Sequence, residues 1–161
     1  MEIAIISDTH LPRGSRGLPA ACLRRLRTAD LIVHAGDFSR PEVLEELRSL
    51  GDVVAVRGNV DDAQLRALLP ETAVIRAGDR RIAVIHDAGP AAHRLRRLRS
   101  RFPDADAVIF GHSHIPLHQR SGDGFQIFNP GSPTDRRRQP HHTMGVCHAD
   151  GYPEFELVEL D

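Results

Sequence analysis

The chain has no lysine or tryptophan, one tyrosine and two cysteines, and it lacks any apolar stretch as long as a membrane span. Each shortage excludes something. With aromatics at only 4%, the core must rest on Val, Ile, Leu and Ala. Cys22 and Cys147 are too few for a disulfide framework and form no Cys-x-x-Cys pair, which suits a reducing, cytoplasmic setting. The chain enters a strand-like apolar run at once, without a charged leader or cleavage site, so no membrane attachment is expected. Net charge is −1, which provides no global basic field for nucleic acid.

What is present fits one α/β domain over residues 1–161, long enough to bury about two-thirds of its unfolded surface. Short β-branched runs recur at 3–7, 30–36, 52–58, 72–78, 81–86 and 106–111, most of them continuous, as in strands covered on both faces. Helical patterns separate the early ones. Leu23 and Leu26 share one face of the first, while Ser39 is placed to cap a second that begins near Pro41 and stops at Gly51. Strands alternating with helices imply parallel pairing. Past Gly111 two hairpins are expected, turning at Ser121–Gly124 and near Tyr152, and residues 129–142 read as a surface loop. The stretch at 93–102 reads as an amphipathic surface helix through Leu95, Leu98 and Phe102.

The polar residues sit at the ends of these runs. Asp8 and His10 follow the first, Asp37 the second, Asn59 the third, His86 the fifth, and His112 with His114 the sixth. In extended backbone Asp8 and His10 would point the same way. Loops at the carboxyl ends of α/β strands gather on one edge, so all seven residues are expected to meet. Each alone has an ordinary explanation as a cap, a turn residue or a core histidine. Together they would be costly at an apolar sheet edge unless cations were bound. Seven donors exceed one tetrahedral zinc site and suit two ions sharing a carboxylate. The imidazole, carboxylate and amide set admits Mn²⁺, Fe²⁺, Zn²⁺ or Ni²⁺.

The motifs "DTH" at 8–10, "GD" at 36–37, "GNVD" at 58–61, His86, "GHSH" at 111–114 and "NPGS" at 129–132 resemble those of the calcineurin-like metallophosphoesterases. The likeness is strongest to their small single-domain phosphodiesterases of bacteria and archaea. The resemblance implies a four-layer α-β-β-α sandwich of two mixed β-sheets flanked by helices. It also implies that Asp8, His10 and His114 hold one metal, Asn59, His86 and His112 the other, with Asp37 bridging. Three positions depart from the pattern. Val60 replaces a histidine that protonates the leaving group in several larger members, Asp87 stands where small members commonly have Gly, and Ser113 replaces Thr.

The expected reaction is in-line attack on a phosphate ester by a hydroxide bridging two divalent ions, with Mn²⁺ the leading choice. Asp37, Asn59 and His86 are assigned to catalysis as well as metal binding, Asn59 by presenting its amide to a phosphoryl oxygen. Without a general acid, diesters with acidic leaving groups should react best. His34 either braces Asp37 or pairs with backbone. Asp61 either orients a ligand histidine or caps the following helix, and Asp87 supplies a further carboxylate. One of Arg136, Arg137 and Arg138 is within sequence reach of a substrate phosphate. Small-molecule esters or nucleotides are the expected substrates; nucleic acid is not favoured, and the terminal hairpin offers apolar surface for a homodimer. The rival function is a metal-binding scaffold, since the fold also resembles a eukaryotic endosomal sorting-complex subunit. That branch lacks part of the ligand set, all of which is present here.

Overall fold

A computed structural model covers residues 1–161. Its first sheet holds β1 (Glu2–Ile6), β2 (Leu31–His34), β3 (Val53–Ala55), β9 (Thr143–His148) and β10 (Glu154–Glu159), in the order β10-β9-β1-β2-β3. The second holds β4 (Thr72–Ala77), β5 (Arg80–Ile85), β6 (Ala107–Ile109), β7 (Leu117–Arg120) and β8 (Gln126–Asn129), in the order β4-β5-β6-β8-β7. The pairs β1·β2, β2·β3, β5·β6 and β6·β8 are parallel, and antiparallel strands close every edge but that of β3. Both sheets are therefore mixed.

Strand alternation divides the core into three layers. Ile3, Ile5 and Val33 of the first sheet face Ile82, Val84 and Ile109 of the second, forming the dry contact between the sheets. The opposite faces carry Ala4, Ile6 and Ile32, which pack on helices α1 (Ala20–Thr28) and α2 (Pro41–Leu50) through Leu26, Leu44 and Leu47. Leu65 of α3 (Ala63–Leu68) joins that layer. Ala83, Ile85 and Val108 face Leu98 of α4 (Arg94–Arg101). This is the four-layer α-β-β-α sandwich, and its core uses few aromatics because β-branched and Leu side chains fill all three layers.

Several local expectations change. Strand β4 is an edge strand that pairs only with β5, and Val74 and Arg76 on one of its faces are turned to solvent. It joins β5 through Gly78 at φ 59°, so an antiparallel hairpin interrupts the parallel part of the chain. Helix α1 buries Cys22 and Leu26, with Leu23 half-buried beside them. Arg40, not Ser39, occupies the cap position of α2, since Ser39 adopts φ 87°. Residues 129–134 are buried, so only the later part of the expected surface loop lies outside. No helix is long and apolar enough to cross a membrane.

Candidate metal centre

The parallel strands β1, β2, β3, β5 and β6 run the same way and deliver all seven strand-end residues to one edge. Strand alternation does not bring them together. Asp8, His10, Asp37, His112 and His114 adopt φ of 56°, 48°, 61°, 70° and 60°, in the left-handed region that non-glycine residues rarely enter. The expectation of an extended Asp8–His10 pair is thus corrected: the chain coils beyond Ile6, and Asp8 and His10 converge through that turn.

The coil is held by backbone and small polar side chains. Asp8 N–H donates to Gly36 O at 3.0 Å, and His10 N–H donates to Asp37 O at 3.1 Å. Ser7 Oγ donates to Asp8 Oδ2 at 2.7 Å, while His112 N–H donates to the same carboxylate at 3.0 Å. From the buried part of the 129–142 segment, Ser132 Oγ donates to Asp8 O at 2.8 Å and Thr134 Oγ1 to Thr9 O at 2.6 Å. Asn129 donates to Gly111 O at 3.0 Å. Two glycines permit the close approaches: a Cβ at Gly58 would stand 2.0 Å from Asp37 Oδ1, and one at Gly111 would stand 2.0 Å from Ser7 Oγ.

Two donor groups result. Asp8, His10 and His114 form one, and Asp37, His86 and His112 the other, with the donor atoms of each lying within 4.8 Å of one another. Asn59 Oδ1 adds to the second, 3.0 Å from both His86 Nε2 and His112 Nδ1. Asp37 Oδ2 lies between the groups, 3.2 Å from His86 Nε2 and 3.8 Å from His10 Nε2.

The imidazole tautomers decide whether cations suit these donors. His86 Nδ1 lies 2.7 Å from Ala35 O, and His114 Nδ1 lies 2.5 Å from Asp135 O. A carbonyl only accepts, so both Nδ1 atoms donate and both neutral rings present an Nε2 lone pair. The His86 lone pair faces other acceptors, Asn59 Oδ1 and Asp37 Oδ2, while His114 Nε2 lies 3.1 Å from His10 Nε2, 3.4 Å from Arg137 Nη2 and 3.6 Å from Asp8 Oδ1. Converging lone pairs repel unless a proton or a metal ion stands among them, and the nitrogen and oxygen set fits divalent ions.

Protonation responds to the same crowding. Burial raises the Asp8 pKa above the usual carboxylate range, against the opposing charges of His86 and His114. Burial pushes Asp37 up as well, but the His86 hydrogen bond and charge and the Val60 N–H hold it below that range. For His86, burial pulls the pKa down, yet the Asp37 hydrogen bond and the charges of Asp8 and Asp37 leave it raised. Burial lowers the His10 pKa, against the charges of Asp37 and Asp8.

The neighbouring residues behave differently from their sequence assignments. His34 is fully buried, accepts Gly36 N–H at Nδ1 over 3.1 Å, and pairs with Thr9 Oγ1 through Nε2 at 3.0 Å. It shapes the turn before Asp37 and makes no hydrogen bond to the Asp37 carboxylate. Asp61 accepts from Gly58, Ser39 and Asp37 N–H at 2.7, 2.9 and 3.2 Å. It neither caps α3 nor touches a histidine; Asp62 is the cap, accepting from Leu65 N–H at 2.9 Å. Asp87 is exposed and accepts from Gly89 N–H at 2.8 Å, closing its own turn. Sequence reasoning missed the Ala35 and Asp135 carbonyls, which any residue type could supply. It also missed Ser7, although its place between strand and "DTH" was a usable signal.

Residues 1–151 match the model of the calcineurin-like phosphoesterase superfamily domain. A probable metallophosphoesterase of Methanocaldococcus jannaschii is 39% identical over 137 residues, covering 83% of this chain and 69% of that protein. One from Methanothermobacter thermautotrophicus is 35% identical over 153 residues, covering 94% and 87%. Among solved structures, Vps29 of Entamoeba histolytica complexed with Zn²⁺ aligns over 100% of both chains with a TM-score of 0.77 at 27% identity. A family match over nearly the whole length, on a sandwich whose strand ends gather two metal-competent donor groups, makes this chain a member of the calcineurin-like phosphoesterase superfamily.

Proposed function

We propose that the protein is a dinuclear metal-dependent phosphodiesterase acting on small phosphate esters or nucleotides. The observation that carries this reading is the position of Asp37 Oδ2 between two clusters of inward-facing lone pairs. Asp8, His10 and His114 would hold one ion, Asn59, His86 and His112 the other, and Asp37 would serve both. Bound divalent ions supply Lewis acidity, lowering the pKa of water toward neutrality and neutralising charge on a phosphoryl group.

The chain's own contribution is positioning. The Ala35 and Asp135 carbonyls fix two imidazole tautomers, and Val60 N–H donates to Asp37 Oδ1 at 2.9 Å, orienting the shared carboxylate. Asn59 and His112 are exposed, which leaves the centre open to a small ester. His86 Nε2 lies 3.2 Å from Asp37 Oδ2 and 3.0 Å from Asn59 Oδ1, and these three residues are the ones assigned to catalysis. Val60, 46% exposed at the position beyond Asn59, cannot protonate a leaving group. Aryl diesters should therefore turn over faster than alkyl monoesters.

The test is hydrolysis of bis(p-nitrophenyl) phosphate and p-nitrophenyl phosphate by metal-stripped protein, with Mn²⁺, Ni²⁺, Fe²⁺, Zn²⁺ or Mg²⁺ returned singly. Mn²⁺ is the ion expected to restore most activity, and Asp37→Ala and His112→Ala should abolish it. Full-length likeness to Vps29 favours a second reading, a metal-binding scaffold. Two bound ions without turnover of either ester would favour the scaffold.

A further inference from the structure

The 129–142 segment contributes more than support. Ser132 and Thr134 fasten it beneath the Asp8 turn, and Asp135 N–H donates to Ser132 Oγ at 2.8 Å. Two residues on, Arg137 adopts φ 52° and directs its guanidinium back to the centre. Its Nη2 lies 3.4 Å from His114 Nε2, and its Nε donates to Asp135 Oδ2 at 3.4 Å. No other arginine hydrogen-bonds or ion-pairs with any of the seven strand-end residues. The side chain is 60% exposed and so has donors to spare.

We propose that Arg137 grips the phosphoryl group of the substrate, and that the adjoining groove lined by Ser113, Ile115, Arg138 and Gln139 takes one ester arm. This rests on the phosphoesterase reading above. His114 Nδ1 is engaged by Asp135 O, so the lone pair facing Arg137 is the one His114 has to offer a cation. When His114 uses it so, Arg137 loses that acceptor while Asp135 still holds its Nε beside the centre. Guanidinium donors left next to cations are stabilised by an anion between them, and their planar fork matches two phosphoryl oxygens. The groove measures about 390 Å³ and is lined by the two chain neighbours of His114, Ser113 and Ile115, and by Arg137 itself. It combines the half-exposed Ile115 with polar walls, suited to an organic ester arm.

The experiment measures binding of inorganic phosphate to the Mn²⁺-loaded protein by titration calorimetry, with Mn²⁺ binding to the stripped protein and diester kinetics alongside. Arg137→Ala should weaken phosphate about 10- to 100-fold and raise KM. It should retain two Mn²⁺ per chain at undiminished affinity. Arg137→Lys should recover part of the loss by restoring charge without the fork, and Arg48→Ala, which removes an exposed arginine of α2 away from the groove, should change phosphate affinity no more than about twofold. Unchanged phosphate affinity in Arg137→Ala, an equal loss in Arg48→Ala, or loss of Mn²⁺ from Arg137→Ala would overturn the assignment. Arg137-dependent phosphate binding by a wild-type protein that hydrolyses neither ester would uphold it and sink the phosphodiesterase reading instead.

Discussion

At the carboxyl ends of β1, β2, β5 and β6 lie the buried Asp8, Asp37, His86 and His114, whereas at the amino ends of the same strands charged groups are paired in water. Arg80 and Asp106, at the starts of β5 and β6, form an ion pair of 3.1 Å with side chains 43% and 22% exposed. The Met1 ammonium pairs with Asp150, and Asp30 accepts from Glu2 N–H at 2.6 Å. Solvent screens these contacts, so any sequence that keeps the surface polar would serve. Asp8 and Asp37, at 0% and 3% exposure, cannot rely on solvent. They are surrounded by N–H donors, by small hydroxyls and by imidazoles whose tautomers are set from behind. One pair of sheets therefore has a tolerant end and a demanding end, and the left-handed Asp8, His10, Asp37, Ser39, His112 and His114 all lie at the latter.

Substitutions should separate the two ends in proportion. Asp37→Ala removes the carboxylate linking both donor groups and should lower metal-dependent diester hydrolysis at least about 10²-fold, read as kcat/KM. Metal loading acts at the same end: Mn²⁺ at a hundredfold over its Kd should add about 2.7 kcal/mol to stability, measured as the difference between loaded and chelator-treated denaturation. Gly58→Ala drives a methyl into Asp37 and should cost about 2 kcal/mol in denaturant unfolding, with activity falling in step. Asp61→Asn leaves one oxygen for three backbone N–H donors and should cost about 1–2 kcal/mol, appearing as faster amide exchange at Gly58 and Ser39. At the tolerant end, Asp106→Asn should cost no more than about 1 kcal/mol and leave hydrolysis untouched. An Asp106→Asn variant as damaged as Gly58→Ala would erase the distinction.

Much of the site was legible because strand periodicity is local. Continuous Val, Ile and Ala runs mark where buried strands end, and the next polar residue of each such strand lies on one edge by topology. Residue-type habits predict a cap at Ser39, a cap or a histidine partner at Asp61 and a surface loop at 129–142, and the structure departs from all three for one reason. Ser39 instead took a left-handed conformation, and its N–H went to Asp61. Asp61 was recruited by three backbone donors from two different loops, and residues 129–134 were buried by bonds to a turn more than 120 residues earlier. Such partners have no short-range signature.

Composition, strand periodicity and the order of "DTH", "GD", "GNVD", "GHSH" and "NPGS" were enough to determine the layered α/β class, the family likeness and which seven side chains meet. Tertiary structure decided how they meet. Left-handed turns, carbonyls that set imidazole tautomers, glycines that admit a carboxylate, and the return of Arg137 to His114 all depend on groups distant in the chain. The physical reason is range: apolar periodicity acts between neighbours, whereas the direction of a lone pair is set by whatever the fold places behind it.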